Sequence, residues 1–230
     1  MKENDFEEEN ENNINENEIE IESIGDSIIK DLRLFKVIII GDSKVGKTSI
    51  SYRALKNEFN ENISSNIISD VQNYKISIKN QNFIIQLWDN CVNEDFDKYS
   101  PNLFNNVSIA ILVYSINNKK SFENISVWNN ILYEHCFDCI KFLIGNKNDL
   151  EEERQVQKEE GENIKNEFNF SYFFETSSKN GLNIKFLLNN IAISLYEKFR
   201  IELTRIHDSI SITKHDYFRR KTIGKRKKCC

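Results

Sequence analysis

The sequence predicts an α/β chain, a three-layer fold on a mostly parallel six-stranded sheet with one antiparallel edge strand. Three observations predict it. An apolar, β-branched run at 35–40 feeds directly into a glycine-bounded loop at 41–46 and then into a helical segment. Further apolar runs at 107–114 and 140–144 are separated by helix-length stretches, as parallel crossovers require. One connection, Asn80-Gln81, is hairpin-sized and supplies the antiparallel member.

In chain order, the pattern gives a strand at 35–40, a helix at 47–55, strands at 71–79 and 83–88, a short helix ending near Phe104, and a strand at 107–114. A helix at 121–133, a strand at 140–144, a helix at 155–168, a strand at 172–174 and a helix at 183–200 follow. The single proline, Pro101, falls in the short helix, where it is expected to kink the chain or start a turn.

The formal charge of −5 conceals two opposed ends: residues 1–33 carry 12 acids and 3 bases, and residues 214–228 carry 8 bases and 1 acid. The stretch up to about Ser23 is dominated by Glu and Asn and has too little apolar surface to offset the entropy of ordering. The expected organisation is an acidic, largely disordered extension at 1–33, a globular domain at 34–200 and a basic tail at 201–230. The chain lacks the pattern of a secretory signal, and no run reaches the roughly 18 apolar residues that span a bilayer, so it is expected on the cytosolic side. Its five cysteines should stay reduced there. Cys136-Phe137-Asp138-Cys139 has the form of a metal or redox pair, but without a second pair it reads as two ordinary thiols.

From Gly41 to Thr48 the spacing is G-x-x-x-x-G-K-[ST]. Backbone N–H groups of Gly41, Asp42, Ser43, Lys44, Val45 and Gly46 can cradle phosphates, Lys47 can reach the terminal ones, and the Thr48 hydroxyl can ligate Mg²⁺. Thr48 and Ser49 open a helix whose dipole adds positive charge beneath the same anion. Lys44 reads first as a solvated lysine and second as a charge over the phosphates.

Three later loops also follow strands: Trp88-Asp89, then Gly145-Asn146-Lys147-Asn148-Asp149-Leu150, then Glu175-Thr176-Ser177-Ser178-Lys179. Strand carboxyl ends converge on one crevice in such a sheet, so these loops can meet the phosphate loop. A carboxylate at Asp149 can accept from guanine N1–H and the exocyclic amine together, a fork adenine does not offer, while Asn146 and the Lys147 stem brace the loop and cover the base.

With GDSKVGKTS, Trp88-Asp89, GNKNDL, ETSSK and the final Cys229-Cys230, residues 34 to 200 and the chain's end resemble the small Ras-like GTPases, and among them the Rab family. The resemblance implies a P-loop G domain binding GTP or GDP with Mg²⁺. It places Mg²⁺ on Thr48 directly and on Asp89 through water, and guanine against Asn146, Lys147, Asp149, Leu150, Ser177, Ser178 and Lys179. It implies a switch that recruits effectors when GTP-bound, served by an exchange factor, a prenylation escort and a GDP-dissociation inhibitor, with the chain a monomer. The basic run before Cys229 and Cys230 resembles the Rab signal for two geranylgeranyl groups, which would tether the chain to the cytosolic face of an intracellular membrane, with a soluble pool, rather than to nucleic acid.

The departures from Rabs lie in the two switch loops. Asn66 aligns with the threonine that binds Mg²⁺, which makes it a doubtful ligand. Asn90-Cys91-Val92-Asn93-Glu94 replaces Thr-Ala-Gly-Gln-Glu, so Val92 stands for the hinge glycine and Asn93 is a degenerate form of the water-positioning glutamine, beside Lys47 in the catalytic set. Ser115 stands where many Rabs have Asp. Slow GTP hydrolysis in membrane traffic is the leading expectation. A pseudo-GTPase scaffold that holds nucleotide without cycling is the alternative, and a P-loop ATPase or kinase is disfavoured by Asn146-Lys147-Asn148-Asp149.

Overall fold

A computed structural model of the chain describes residues 18–24, 32–61, 71–79, 81–89 and 101–201. Asn66, Val92, Asn93, Cys229 and Cys230 lie outside these residues. The chain divides into two compact units, Met1–Ala192 and Ile193–Cys230. In the second, residues 193–201 are helical, with Arg200 Nη2 donating to Glu197 Oε2 at 2.9 Å. Among the described residues no helix is long and apolar enough to cross a membrane.

Among the described residues, the first unit is built on a mixed sheet of seven strands: β1 (Ile19–Ile24), β2 (Arg33–Ile40), β3 (Val71–Ile78), β4 (Gln81–Trp88), β5 (Val107–Ser115), β6 (Ile140–Asn146) and β7 (Tyr172–Glu175). Their order is β1-β3-β4-β2-β5-β6-β7. From β4 to β7 all neighbours are parallel, whereas β1 and β3 run antiparallel to their partners. The expected six-stranded sheet thus gains a strand. Residues 19–24, expected within a disordered tail, form β1 because Ile19 and Ile21 alternate with Glu20 and Glu22 and find the open edge of β3.

The helices are α1 (Lys47–Lys56), α2 (Lys119–Glu123), α3 (Ile125–Cys136), α4 (Lys158–Glu167) and α5, taken here as residues 184–192. The helix expected at 121–133 falls into α2 and α3 on either side of Asn124, whose φ of −70° and ψ of −9° stay near helical and whose N–H still donates to the Lys120 carbonyl at 3.0 Å. Asn118 caps the first by accepting from the Ser121 N–H. Pro101 opens a single 3-10 turn, Pro101–Phe104, in keeping with its fixed φ. The β3–β4 hairpin sits one residue earlier than expected: Ile78 pairs with Gln81, leaving Lys79 and Asn80 between them, and Lys79 takes the positive φ of 43° that such two-residue turns need.

The central strand β5 is buried at every position, as a strand covered on both faces must be. One face packs Ile38, Ile40, Leu112 and Leu143 against Trp128 and Leu132 of α3. The alternating residues Val37, Ile39, Ile111 and Val113 are also fully buried, with Ile50 of α1 and Leu187 and Ile191 of α5 among the other core residues.

Candidate functional site

The phosphate loop follows from where β2 ends. Gly41 adopts φ 141°, and a Cβ there would lie 2.2 Å from the Val113 carbonyl oxygen, so only glycine lets the chain leave β2 this close to β5. Gly46 adopts φ 98° as the N-cap of α1, and a Cβ there would stand 2.3 Å from Asn146 Nδ2. Ile50 N–H then donates to the Gly46 carbonyl at 2.9 Å and closes the first helical turn, which carries no acidic residue to repel an anion. Thr48 and Ser49 are half-buried in that turn.

Lys47 is buried, and its ammonium donates to the carbonyls of Gly41 at 2.8 Å and Asp42 at 2.7 Å, across the mouth of the loop. Lys44 is exposed with φ 62°, a left-handed conformation that residues with a Cβ seldom take. Asp42 turns its carboxylate away from the loop and onto α3, where Trp128 Nε1 and Asn124 Nδ2 donate to it.

The loop after β6 locks onto this one. Asn146 is buried, and its Nδ2 donates to the Val45 carbonyl at 2.9 Å, while its Oδ1 accepts from Thr176 Oγ1 at 3.1 Å and Ser178 Oγ at 3.3 Å. One side chain therefore joins the phosphate loop to the loops after β6 and β7. Lys147 takes φ 66°, and burial holds its ammonium below the ordinary lysine value against the opposing charges of Asp149 and Glu153. The turn closes with Leu150 N–H on the Lys147 carbonyl at 2.9 Å. Asp149 Oδ1 accepts from Ser177 Oγ at 2.5 Å. Beneath them, Arg53 of α1 donates Nε to the Ser178 carbonyl at 2.7 Å and Nη2 to that of Lys179.

Asp89 follows β4 directly, one residue past the Ile38–Trp88 pair, and is fully buried. Its charge, after burial itself, pushes the Tyr74 hydroxyl above the ordinary tyrosine range. A carboxylate this deep, at the same sheet end as the Thr48 hydroxyl, is a donor set of hard oxygens suited to Mg²⁺.

Sequence reasoning missed Asn124, Trp128, Arg53 and Arg154, and it gave Glu175, the first residue of the ETSSK loop, no partner. Arg154 Nη1 donates to Glu175 Oε1 at 2.6 Å and Nη2 to Oε2 at 2.8 Å, both side chains nearly buried, and Glu175 Oε2 also accepts from Asn148 Nδ2 at 2.8 Å. Only Trp128 carried a signal in the sequence, since a buried indole N–H needs an acceptor.

A glycine-bounded loop between a central parallel strand and a helix, closed by the loops after β6 and β7, defines a P-loop nucleotide-binding fold of the α/β class. The model of the Ras family matches residues 36–197, and Ras-related protein Rab-10 of Diplobatis ommata is 36% identical over 166 residues, covering 72% of this chain and 82% of that relative. The chain belongs to the Ras family of small GTPases, in its Rab branch.

Proposed function

We propose that the chain is a guanine-nucleotide switch acting in intracellular membrane traffic, tethered by two prenyl groups on Cys229 and Cys230 and by its basic tail. The observation that supports it most is the Asn146 side chain, which couples the phosphate loop through Val45 to the 176–178 loop beside Asp149. Phosphate and base recognition thereby form one unit. In this reading, the backbone of residues 41–46 cradles the phosphates and Lys47 exchanges its contacts with Gly41 and Asp42 for phosphate oxygens. Asp149 reads the base, and Lys147, Leu150, Ser177, Ser178 and Lys179 complete its pocket. Thr48, and Asp89 through water, would hold Mg²⁺, which supplies positive charge against the phosphates; Asn66 is a third, weaker donor.

Effectors, an exchange factor, a prenylation escort and a GDP-dissociation inhibitor are the partners this function needs, and the chain acts as a monomer at the cytosolic face of a membrane, with a soluble pool. Val92 and Asn93 make intrinsic hydrolysis slow; if turnover is absent, the same site serves a scaffold that holds nucleotide and recruits partners. Competition against a labelled guanine nucleotide tests the core of the reading. GTP and GDP should displace it and ATP should not, and Asp149→Ala should abolish the preference. Equal displacement by ATP would refute guanine recognition.

A further inference from the structure

Helix α3 ends on Cys136 and β6 starts at Ile140, so Cys136-Phe137-Asp138-Cys139 forms the corner between them. The backbone turns tightly there: Phe137 keeps φ −55° and ψ −25°, and the Cys139 N–H donates to the Cys136 carbonyl at 3.1 Å. The ends of such a four-residue turn lie within about 7 Å, and disulfides span about 4.4–6.8 Å between Cα atoms. Both side chains leave the turn on one side, with Sγ to Sγ at 3.4 Å and either thiol able to donate. Spacing alone does not make two thiols meet; this turn does.

The two sulfurs differ in access. Cys139 is 8% exposed and belongs to the core beneath α3, while Cys136 is half-buried against that core, so a reagent from solvent reaches Cys136 first. Donation to Cys139, and after it burial, pushes the Cys136 thiol above the ordinary range, so the pair gives up one proton and keeps the other between the sulfurs. With Cys139 as the donor, the remaining charge rests on Cys136, where Lys141 and Lys36 favour it. Asn129 Oδ1 at 2.8 Å and the Phe168 carbonyl at 2.7 Å hold the Lys141 ammonium in place. The pair lies at the C-terminal end of a helix, without the N-terminal dipole that stabilises thiolates in strongly oxidising C-x-x-C pairs, and a reduced form lacking that help favours the disulfide.

We propose that Cys136 and Cys139 are a reversible oxidation site, closed to an intramolecular disulfide by exchange with a small soluble disulfide of the glutathione class. The Cys136 thiolate attacks one sulfur of that disulfide, whose S–S bond breaks, and the first glutathione leaves as a thiolate that takes up a proton. Cys139 then loses its proton, attacks Cys136 Sγ and expels the second glutathione. The two cysteines give up two electrons, and the glutathione disulfide that accepts them ends as two thiols. The bridge staples the end of α3 to the start of β6, the elements that carry Trp128 and Asn146 to the phosphate loop. A transient, redox-sensing bridge is the kind of disulfide that a reducing compartment permits. The site stands whether or not the nucleotide reading holds.

The experiment exposes the folded full-length chain to glutathione disulfide, alkylates the remaining thiols and digests with trypsin. Lys120 and Lys141 bound a peptide, 121–141, that contains both cysteines and no other. Mass spectrometry should find this peptide two hydrogens lighter and unalkylated, and dithiothreitol should restore it. In Cys139→Ser a glutathione adduct should accumulate on Cys136, whereas in Cys136→Ser an adduct on the shielded Cys139 should form at least about tenfold more slowly. Cys139→Ala replaces Cys139→Ser if burying a hydroxyl unfolds the chain. In the oxidised wild type, amide exchange in the last turn of α3 should be at least about threefold slower than in the reduced protein. A peptide that stays dithiol, or one that keeps a glutathione adduct in the wild type, would overturn the proposal. Equal adduct rates in the two variants, bridges to Cys91, Cys229, Cys230 or a second copy, or unchanged or faster exchange at the end of α3 would overturn it too.

Discussion

The Asp42 carboxylate in the phosphate loop is held at both oxygens by α3 and the residue that precedes it: Oδ1 accepts from Trp128 Nε1 at 2.9 Å and Oδ2 from Asn124 Nδ2 at 2.7 Å. Through the same residue, the Asp42 carbonyl accepts from Lys47 at 2.7 Å, so α3 bears on the placement of the proposed phosphate-binding lysine. Trp128→Phe removes one donor to a charged acceptor, an interaction worth about 1.5–3 kcal/mol. Dissociation of fluorescent GDP should accelerate by roughly tenfold or more, with Asn124→Ala acting in the same direction. A lowered melting temperature with an unchanged dissociation rate would make the contact merely structural.

The Arg154–Glu175 pair should behave as a buried ion pair whose halves depend on each other. Removing one partner strands a charge and costs about 3–5 kcal/mol, whereas an apolar pair of similar volume is often tolerated. Arg154→Met should therefore lower the melting temperature by about 10 °C and loosen Asn148, which shares Glu175 Oε2. The double variant Arg154→Met, Glu175→Leu should recover part of that loss. Additive effects in calorimetry would rule out the coupling.

Glu160 links stability to pH. The Lys119 ammonium, and after it the Gln157 N–H, hold its carboxyl below the ordinary value, in a capping box that starts α4. A depressed carboxylate contributes stability above its unfolded pKa of about 4.3 and loses it as pH falls through the folded value. Glu160→Gln should thus melt at a lower temperature than wild type at pH 7, and the two curves should meet in acid. A gap that persists to about pH 2 would mean that the carboxylate charge is not the cause.

Membrane retention should require Cys229 and Cys230 together, because one prenyl chain anchors only marginally. Serine at both positions should shift the protein to the soluble fraction, and serine at one should weaken retention. Sedimentation of the double serine variant with membranes would exclude lipid tethering.

Local patterns made the frame and the main site loops readable. The run into Gly41 and the placement of Asn146 and Asp149 after an apolar stretch needed only periodicity and loop chemistry. What stayed hidden depends on distant partners. Arg154 meets Glu175 21 residues away, and nothing near either one in the chain signals the pairing. Asn124, between α2 and α3, donates to Asp42, 82 residues earlier, and no local pattern signals that contact. For β1, the alternation of isoleucine with glutamate was present but submerged in acidic composition, and only the open edge of β3 gave it a partner.

The switch loop after Asp89 carries the last prediction, slow intrinsic hydrolysis. In Ras-like enzymes catalysis is largely positioning and electrostatics, with a glutamine orienting the attacking water. Asn93 presents the same amide on a side chain one methylene shorter, so it should reach that water poorly. Val92 keeps a backbone N–H, but its β-branching should hinder the hinge by which glycine would bring that N–H to the γ-phosphate. Losing one charge-assisted hydrogen bond costs roughly 1.5–3 kcal/mol, on the order of 10- to 100-fold in rate if it is felt in the transition state. Nucleotide binding should survive, because the phosphate loop, Asn146 and Asp149 are untouched by these two positions. Single-turnover hydrolysis should therefore be faster in a Val92→Gly, Asn93→Gln double variant than in the wild type, with GTP affinity little changed. No acceleration, with binding intact, would remove this loop as the cause and favour the scaffold that holds nucleotide without cycling.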